Sequence, residues 1–264
     1  PWSRASKASF MDISSHSVDH ADIGCARHAP GQGAGGVELY ELAGADPARV
    51  FSPFCWRIRM ALAAKGLEAR TIPWRFMQKD ALTPHGAEKV PVLVHGDTAV
   101  TDSWTIAEYL EAQFPDRPSL FGGAGGHALA RFVNNWADAV VIPGIAKLIV
   151  ADVAAVLDPG DIAYFRTSRE ARFGMTLEQV QADRDSAVKG FRQALHPMRM
   201  TLRGQPFLGG AAPLHADSIV FGCFQWARCC SPFRLLEQDD PIEAWRQRML
   251  DLHGGLARRV PAFD

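Results

Sequence analysis

The sequence predicts two unlike halves, a small mixed α/β unit over residues 37–114 followed by an all-helical unit over 127–264. Three observations lead there. Alternating apolar strand patterns are confined to the first half. Helix openings and closings, marked by Ser, Pro and Gly, fall between those strands. Beyond a Pro- and Gly-rich stretch around 114–126 the strand signals stop and long helical periodicities take over. With 264 residues, 47% of them hydrophobic and 22% charged, the chain has apolar material for one large core or two small ones.

Residues 1–36 are rich in Ser, Ala, Gly and His and end in Pro30-Gly-Gln-Gly-Ala-Gly-Gly36. That composition is expected to form a disordered extension, with Met11 an alternative start and His16, His20 and His28 solvated rather than holding metal. Val37-Glu-Leu-Tyr-Glu-Leu42 alternates as a half-buried strand. In Phe51-Ser-Pro-Phe-Cys-Trp-Arg-Ile-Arg-Met-Ala-Leu-Ala-Ala-Lys-Gly66, Ser52 can cap a helix, Pro53 suits its first turn and Gly66 ends it. Ala69 to Trp74 reads as a second strand. Val90 to His95 reads as a third, and Gly96-Asp97 turns it into a fourth over Thr98 to Thr101. A helix is expected from Ser103 to about Phe114. The helical half shows patterns at about 127–156, 176–203, 215–231 and 240–257. The domain reading is an extension (1–36), an α/β domain (37–118) and a helical domain (127–264).

Several function classes are excluded. With 28 Lys+Arg against 29 Asp+Glu, the formal net charge of −1 argues against a generally basic nucleic-acid binder. Cys25, Cys55, Cys223, Cys229 and Cys230 have no CxxC or CxxH spacing, so neither a disulfide scaffold nor a zinc site is expected, and a reducing cytoplasm fits. No signal-peptide run opens the chain. The best membrane candidate, Ala137 to Leu157, is interrupted by Asp138, Pro143, Lys147 and Asp152, and reads as a buried helix of a soluble core.

Three local features carry chemistry. A helix start has unpaired N–H groups and a positive dipole end, and a Ser52 hydroxyl there can donate to a thiolate and lower its pKa. Local sequence alone favours a plain cap. Lys89-Val90-Pro91 opens a strand; a cis Val90–Pro91 bond would turn the Val90 backbone outward toward an extended peptide, and an ordinary edge proline is the plainer alternative. Asp102-Ser103 begins the next helix, where Ser103 can bind a carboxylate and Asp102 an ammonium group; taken alone the pair is a routine cap. Together the three suit a small thiol peptide, glutathione.

On these motifs the chain resembles the serine-type glutathione transferases over residues 37–264. Phe51 to Gly66 is similar to that family's first-helix motif, Val90-Pro91 falls at its cis-proline, and Asp102-Ser103 at its acidic-Ser or Gln-Ser pair. Asp102-Ser-Trp-Thr-Ile-Ala-Glu-Tyr-Leu110 and Phe114-Pro-Asp-Arg-Pro118 fit as well. Ser168-Arg-Glu-Ala-Arg-Phe-Gly-Met-Thr-Leu-Glu-Gln-Val-Gln-Ala-Asp-Arg184 resembles the bacterial β-etherase branch, which cleaves lignin-derived β-aryl ethers. The resemblance implies a thioredoxin-like domain followed by an all-helical one, glutathione as co-substrate, an apolar or aromatic electrophile, no metal, and a homodimer. It makes Ser52 the thiolate-stabilising hydroxyl. Val90, before Pro91, pairs with the cysteinyl backbone, Asp102 and Ser103 grip the γ-glutamyl end, and Lys89 reaches the glycyl carboxylate. Phe54 and Trp136 are the substrate-pocket candidates. Among Phe132, Phe165, Phe173, Phe224 and Trp226, packing is the expected role. Arg57 and Arg59 are expected in structural salt bridges and Cys55 as a small buried residue. One departure from the family is Leu214, which stands where many relatives carry a capping Ser or Thr three residues before Asp217; Asp217 can still satisfy local backbone donors. The same resemblance leaves a glutathione-dependent isomerase and a non-catalytic carrier as alternatives.

Overall fold

The computed structural model describes residues 36–263. The leading extension, with Cys25, its histidines and Met11, lies outside the described residues.

Residues Val37–Leu42 (β1), Pro53–Ala64 (α1), Ala69–Trp74 (β2), Val92–His95 (β3), Thr98–Thr101 (β4) and Ser103–Gln113 (α2) form the mixed half. The sheet order is β2-β1-β3-β4, with β1 parallel to β2 and antiparallel to β3, which is antiparallel to β4. The parallel β1–β2 pair needs a crossover, and α1 supplies it. Pro53 fills the first turn of α1, and Gly66 follows the helix with a left-handed φ of 63°. The third strand begins at Val92 rather than Val90: Pro91 has no N–H for the ladder.

Helices occupy the rest: Ala124–Trp136 (α3), Ile142–Val156 (α4), Pro159–Phe173 (α5), Leu177–Gln181 (α6), Arg184–Ala194 (α7), His196–Gly204 (α8), His215–Cys230 (α9) and Pro241–Gly255 (α10). Three differences from the sequence reading have local causes. A π-helical segment, Ala137–Val141, joins α3 to α4, widening the ladder just ahead of Pro143. Helix α5 was not expected, though Asp158 caps it, Pro159 opens it and Gly174 ends it at a φ of 69°. The expected helix at 176–203 is three pieces; a capping box of Thr176 and Gln179 starts α6, and Pro197 sits in the first turn of α8. Helix α3 also begins inside the glycine stretch read as linker.

The continuous helix Ala124–Val156 is long and apolar enough by composition to cross a membrane, and 39% of its most apolar window is buried within the fold. Its α4 part packs against α6, α7 and α9. One apolar core runs through both halves. At its centre Trp56 of α1 meets Phe221 of α9 edge-on at 6.4 Å, and Phe221 meets Trp245 of α10 at 6.4 Å. This close crossing of α1 and α9 requires Gly222, where a β-carbon would lie 2.4 Å from the Pro53 carbonyl oxygen. Lys65, 1% exposed, ties the end of α1 to the connection between halves: its Nζ donates to the Phe114 and Pro118 carbonyls and pairs with Glu111 at 2.8 Å.

Leu214 supplies no side-chain cap to α9. Asp217 fills that role from inside the helix, accepting from the N–H groups of Leu214 (3.0 Å), Leu208 (2.6 Å) and Gly209 (2.8 Å) and from Trp245 Nε1 (2.8 Å).

Candidate functional site

Strand register places the three sequence features together. Val92 pairs with Tyr40 on β1 and with Thr101 on β4, so Pro91, the exit of β1 and Asp102 share one end of the sheet. The loop after β1 returns to that end. Ala43 bridges Val50, and the Phe51 N–H donates to the Leu42 carbonyl at 3.1 Å, which sets Ser52 beside the sheet. The N-termini of α1 and α2, each roughly half a positive charge, therefore open at the same end.

Ser52 is the N-cap of α1 and 5% exposed. Its Oγ accepts from the Cys55 N–H at 3.4 Å, a long bond, and its hydroxyl also reaches the Cys55 thiol, so donation to a bound sulfur would turn the hydroxyl hydrogen away from that thiol. Cys55 itself is buried. Burial, reinforced by the Glu41 carboxylate, pushes its thiol up to about 12, so it stays protonated at neutral pH and is no nucleophile.

The Val90–Pro91 bond is cis. Val90 is half-buried and lies just before β3, and among the described residues its backbone enters no hydrogen bond. Lys89 beside it is exposed. Asp102 has a φ of 71°, uncommon for a residue with a side chain. Its Oδ1 accepts from the Trp104 and Thr105 N–H groups, both at 3.0 Å, and from the Thr105 hydroxyl at 3.2 Å. Oδ2 takes none of these bonds. Ser103, 3% exposed, opens α2 with no hydrogen bond from its hydroxyl among the described residues.

The pocket candidates separate. Phe54, half-buried in the first turn of α1, carries the Arg57 guanidinium 4.7 Å above its ring. Arg57, 1% exposed, crosses to the helical half, donating to Asn134 Oδ1 at 2.9 Å and pairing with Asp138 at 2.6 Å. Trp136 lies between those two partners in sequence, two residues from each. On a 3.6-residue period it leaves the helix far from the face that meets α1. It is half-buried there. Of the other aromatics, Phe165 and Phe224 are buried at 4% and 2%, while Phe132 is 69% exposed.

Arg57 and Arg59 are both in salt bridges, Arg59 with the buried Glu41 at 3.1 Å. Burial raises the Glu41 carboxyl to about 7, against the pull of Arg59. Beyond Arg57 lies His215, 2% exposed, whose pKa falls to about 3 through burial and then the Arg57 charge. Sequence reasoning missed that Asn134 and Asp138 anchor α1. The available signal was their spacing: two polar residues four apart on a continuous helix lie on one face. Among the described residues no cluster of three or more His, Cys, Asp or Glu side chains could hold a metal ion.

Residues 51–113 match the family model for the N-terminal domain of glutathione S-transferases, and residues 128–259 that for the C-terminal domain. A probable glutathione S-transferase of Glycine max is 31% identical over 103 residues, 38% of this chain and 46% of that protein. The chain thus spans under half the length of that relative. The crystal structure of a glutathione transferase from Phanerochaete chrysosporium superposes with a TM-score of 0.66 at 26% identity, covering 83% of this chain and 92% of that one. A glutathione S-transferase of Ceriporiopsis subvermispora in complex with glutathione gives a TM-score of 0.73 at 21% identity, with 85% and 98% covered; at that identity the likeness is one of fold.

Proposed function

The chain belongs to the glutathione S-transferase family, and we propose that it activates glutathione as a thiolate for attack on an apolar aromatic electrophile. The observation that carries this reading is the convergence of two helix N-termini and the unpaired Val90 backbone at one end of the sheet. In this reading the Ser52 hydroxyl donates to the glutathione sulfur while its lone pair keeps the cap of α1. Little water reaches the hydroxyl, which strengthens that bond. The Val90 N–H and C=O pair with the cysteinyl residue. Asp102 Oδ2, left over from capping, takes the γ-glutamyl ammonium, and the Ser103 hydroxyl takes its carboxylate at the start of α2. Lys89 takes the glycyl carboxylate. Phe54, in the first turn of α1, walls the electrophile side.

For a β-aryl ether, the thiolate forms a C–S bond at the carbon that carries the ether oxygen. The C–O bond breaks, the phenoxide leaves with the electron pair, and water protonates it. The protein's part is alignment and thiolate stabilisation. A homodimer would cover Leu129 and Phe132, which are 68% and 69% exposed three residues apart on one side of α3. A reducing cytoplasm completes the proposal.

The deciding experiment incubates the protein with glutathione and a model β-aryl ether and weighs the products by mass spectrometry. A glutathione thioether with free phenol supports ether cleavage. Intact ether removes that branch, and a standard aryl halide then tests conjugation in general. Turnover of a substrate with glutathione recovered unchanged would mark an isomerase, and ligand binding without turnover a carrier.

A further inference from the structure

The corner between α4 and α5 grips both loops that lead into the proposed glutathione residues. On one side the Val156 carbonyl accepts from the Ala45 N–H at 2.9 Å, and a β-carbon at Gly44 would stand 2.3 Å from that oxygen. The loop so held runs to Ser52. On the other side Asp161 accepts from the Phe76 N–H at Oδ2 (2.9 Å) and the Met77 N–H at Oδ1 (3.0 Å). That loop runs on to Lys89 and Val90. Arg75 crosses between them, donating from Nε to the Gly44 carbonyl (3.3 Å) and from Nη2 to the Ala45 carbonyl (2.9 Å), while Nη1 pairs with Asp158 at 3.5 Å. Phe76 then packs against Phe165 at 6.1 Å and Tyr164 at 5.6 Å, both on α5.

Asp161 is 1% exposed. It sits in the first turn of α5, yet that helix is already capped by Asp158, which accepts from the Gly160 N–H at 3.0 Å. A buried carboxylate is tolerated when its oxygens are bonded, and here both bonds go to consecutive amides of another segment. Two charge-assisted bonds to adjacent N–H groups fix direction as well as position. We infer that Asp161 and Arg75 are positioning residues for the glutathione reaction, holding the loops 43–51 and 75–90 so that Ser52 and Val90 address one tripeptide. The inference rests on the glutathione reading and adds to it residues outside that binding set.

The test compares wild type with Asp161→Asn, which keeps one acceptor at equal volume, and Arg75→Met, which keeps the stem. S-methylglutathione affinity is measured by calorimetry, with steady-state kinetics, melting temperature and amide exchange of both loops alongside. Asp161→Asn should weaken S-methylglutathione about tenfold and raise the glutathione KM, with kcat within about twofold. Arg75→Met should instead lower kcat and move the kcat/KM titration to higher pH. Exchange should quicken at 76–90 in the first variant and at 43–51 in the second. A lowered melting temperature with unchanged affinity, kinetics and loop exchange in the folded protein overturns the inference. If Asp161→Asn does not fold, Arg75→Met decides, since its side chain is 30% exposed. Wild type that fails to bind S-methylglutathione overturns the glutathione reading instead, and the exchange rates still decide whether the corner holds the loops.

Discussion

Replacing Ser52 with Ala separates two roles of one hydroxyl. As a cap it makes a single 3.4 Å bond to the Cys55 N–H, at the long limit for such contacts. Loss of an N-cap costs about 0.5–2 kcal/mol, and a bond this long places Ser52→Ala near the lower figure. As a donor to a developing or resting anion, the same hydroxyl is worth a factor on the order of 10²–10³ in rate, about 2.7–4 kcal/mol. The stability loss is therefore the smaller effect by severalfold, and the two are measured independently. Urea denaturation at neutral pH reads the first; kcat/KM for glutathione conjugation, followed across pH, reads the second. The expected profile shifts toward alkaline pH as the thiolate loses its donor, so part of the lost rate returns at high pH. Full turnover in Ser52→Ala with an unshifted pH profile would refute the thiolate assignment and leave Ser52 as a cap alone.

Two further outcomes follow from burial and packing. His215 has its folded-state pKa lowered to about 3 from an ordinary 6.5, so the unfolded chain binds the extra proton first. Its contribution is present above about pH 6.5 and is lost as pH falls toward 3; urea midpoints at pH 7 and pH 4.5 should therefore lie closer together in His215→Phe than in wild type, and an unchanged gap would contradict the burial argument. Gly222→Ala puts a β-carbon 2.4 Å from the Pro53 carbonyl oxygen, one residue from Ser52. Overpacking of this kind costs about 1–3 kcal/mol, and because the strain falls on the start of α1, kcat/KM should drop along with the urea midpoint.

The parts of the fold legible in the sequence are those written in local chemistry. Ser52-Pro53 and Gly66 bracket α1, the Gly96-Asp97 turn joins β3 to β4, and alternation gives β1 its residues. The elements of the candidate site were legible for the same reason: each is a helix start or a proline-led strand. What was not legible depends on partners distant in sequence. Helix α5 has few buried residues, so its apolar stripe is weak even though Asp158, Pro159 and Gly174 punctuate it. The break between α7 and α8 was hidden by a periodicity that continues through Pro197. That Asp217 satisfies backbone donors near Leu214 is legible locally, but its bond to Trp245 Nε1, 28 residues further on, is not. Arg57 shows the same limit, since nothing near it in sequence announces that its guanidinium lies inside the protein, against Asn134 and Asp138.

That guanidinium also sets terms for anyone recombining these proteins. A different helical half grafted onto residues 37–118 to change the electrophile would seal Arg57 against whatever its new neighbour offers. Removing one partner of a buried ion pair costs about 3–5 kcal/mol, comparable to a large share of a domain's whole stability. A chimera must therefore carry Asn134 and Asp138 across the junction with the new pocket, or replace Arg57 by an apolar residue in the same step.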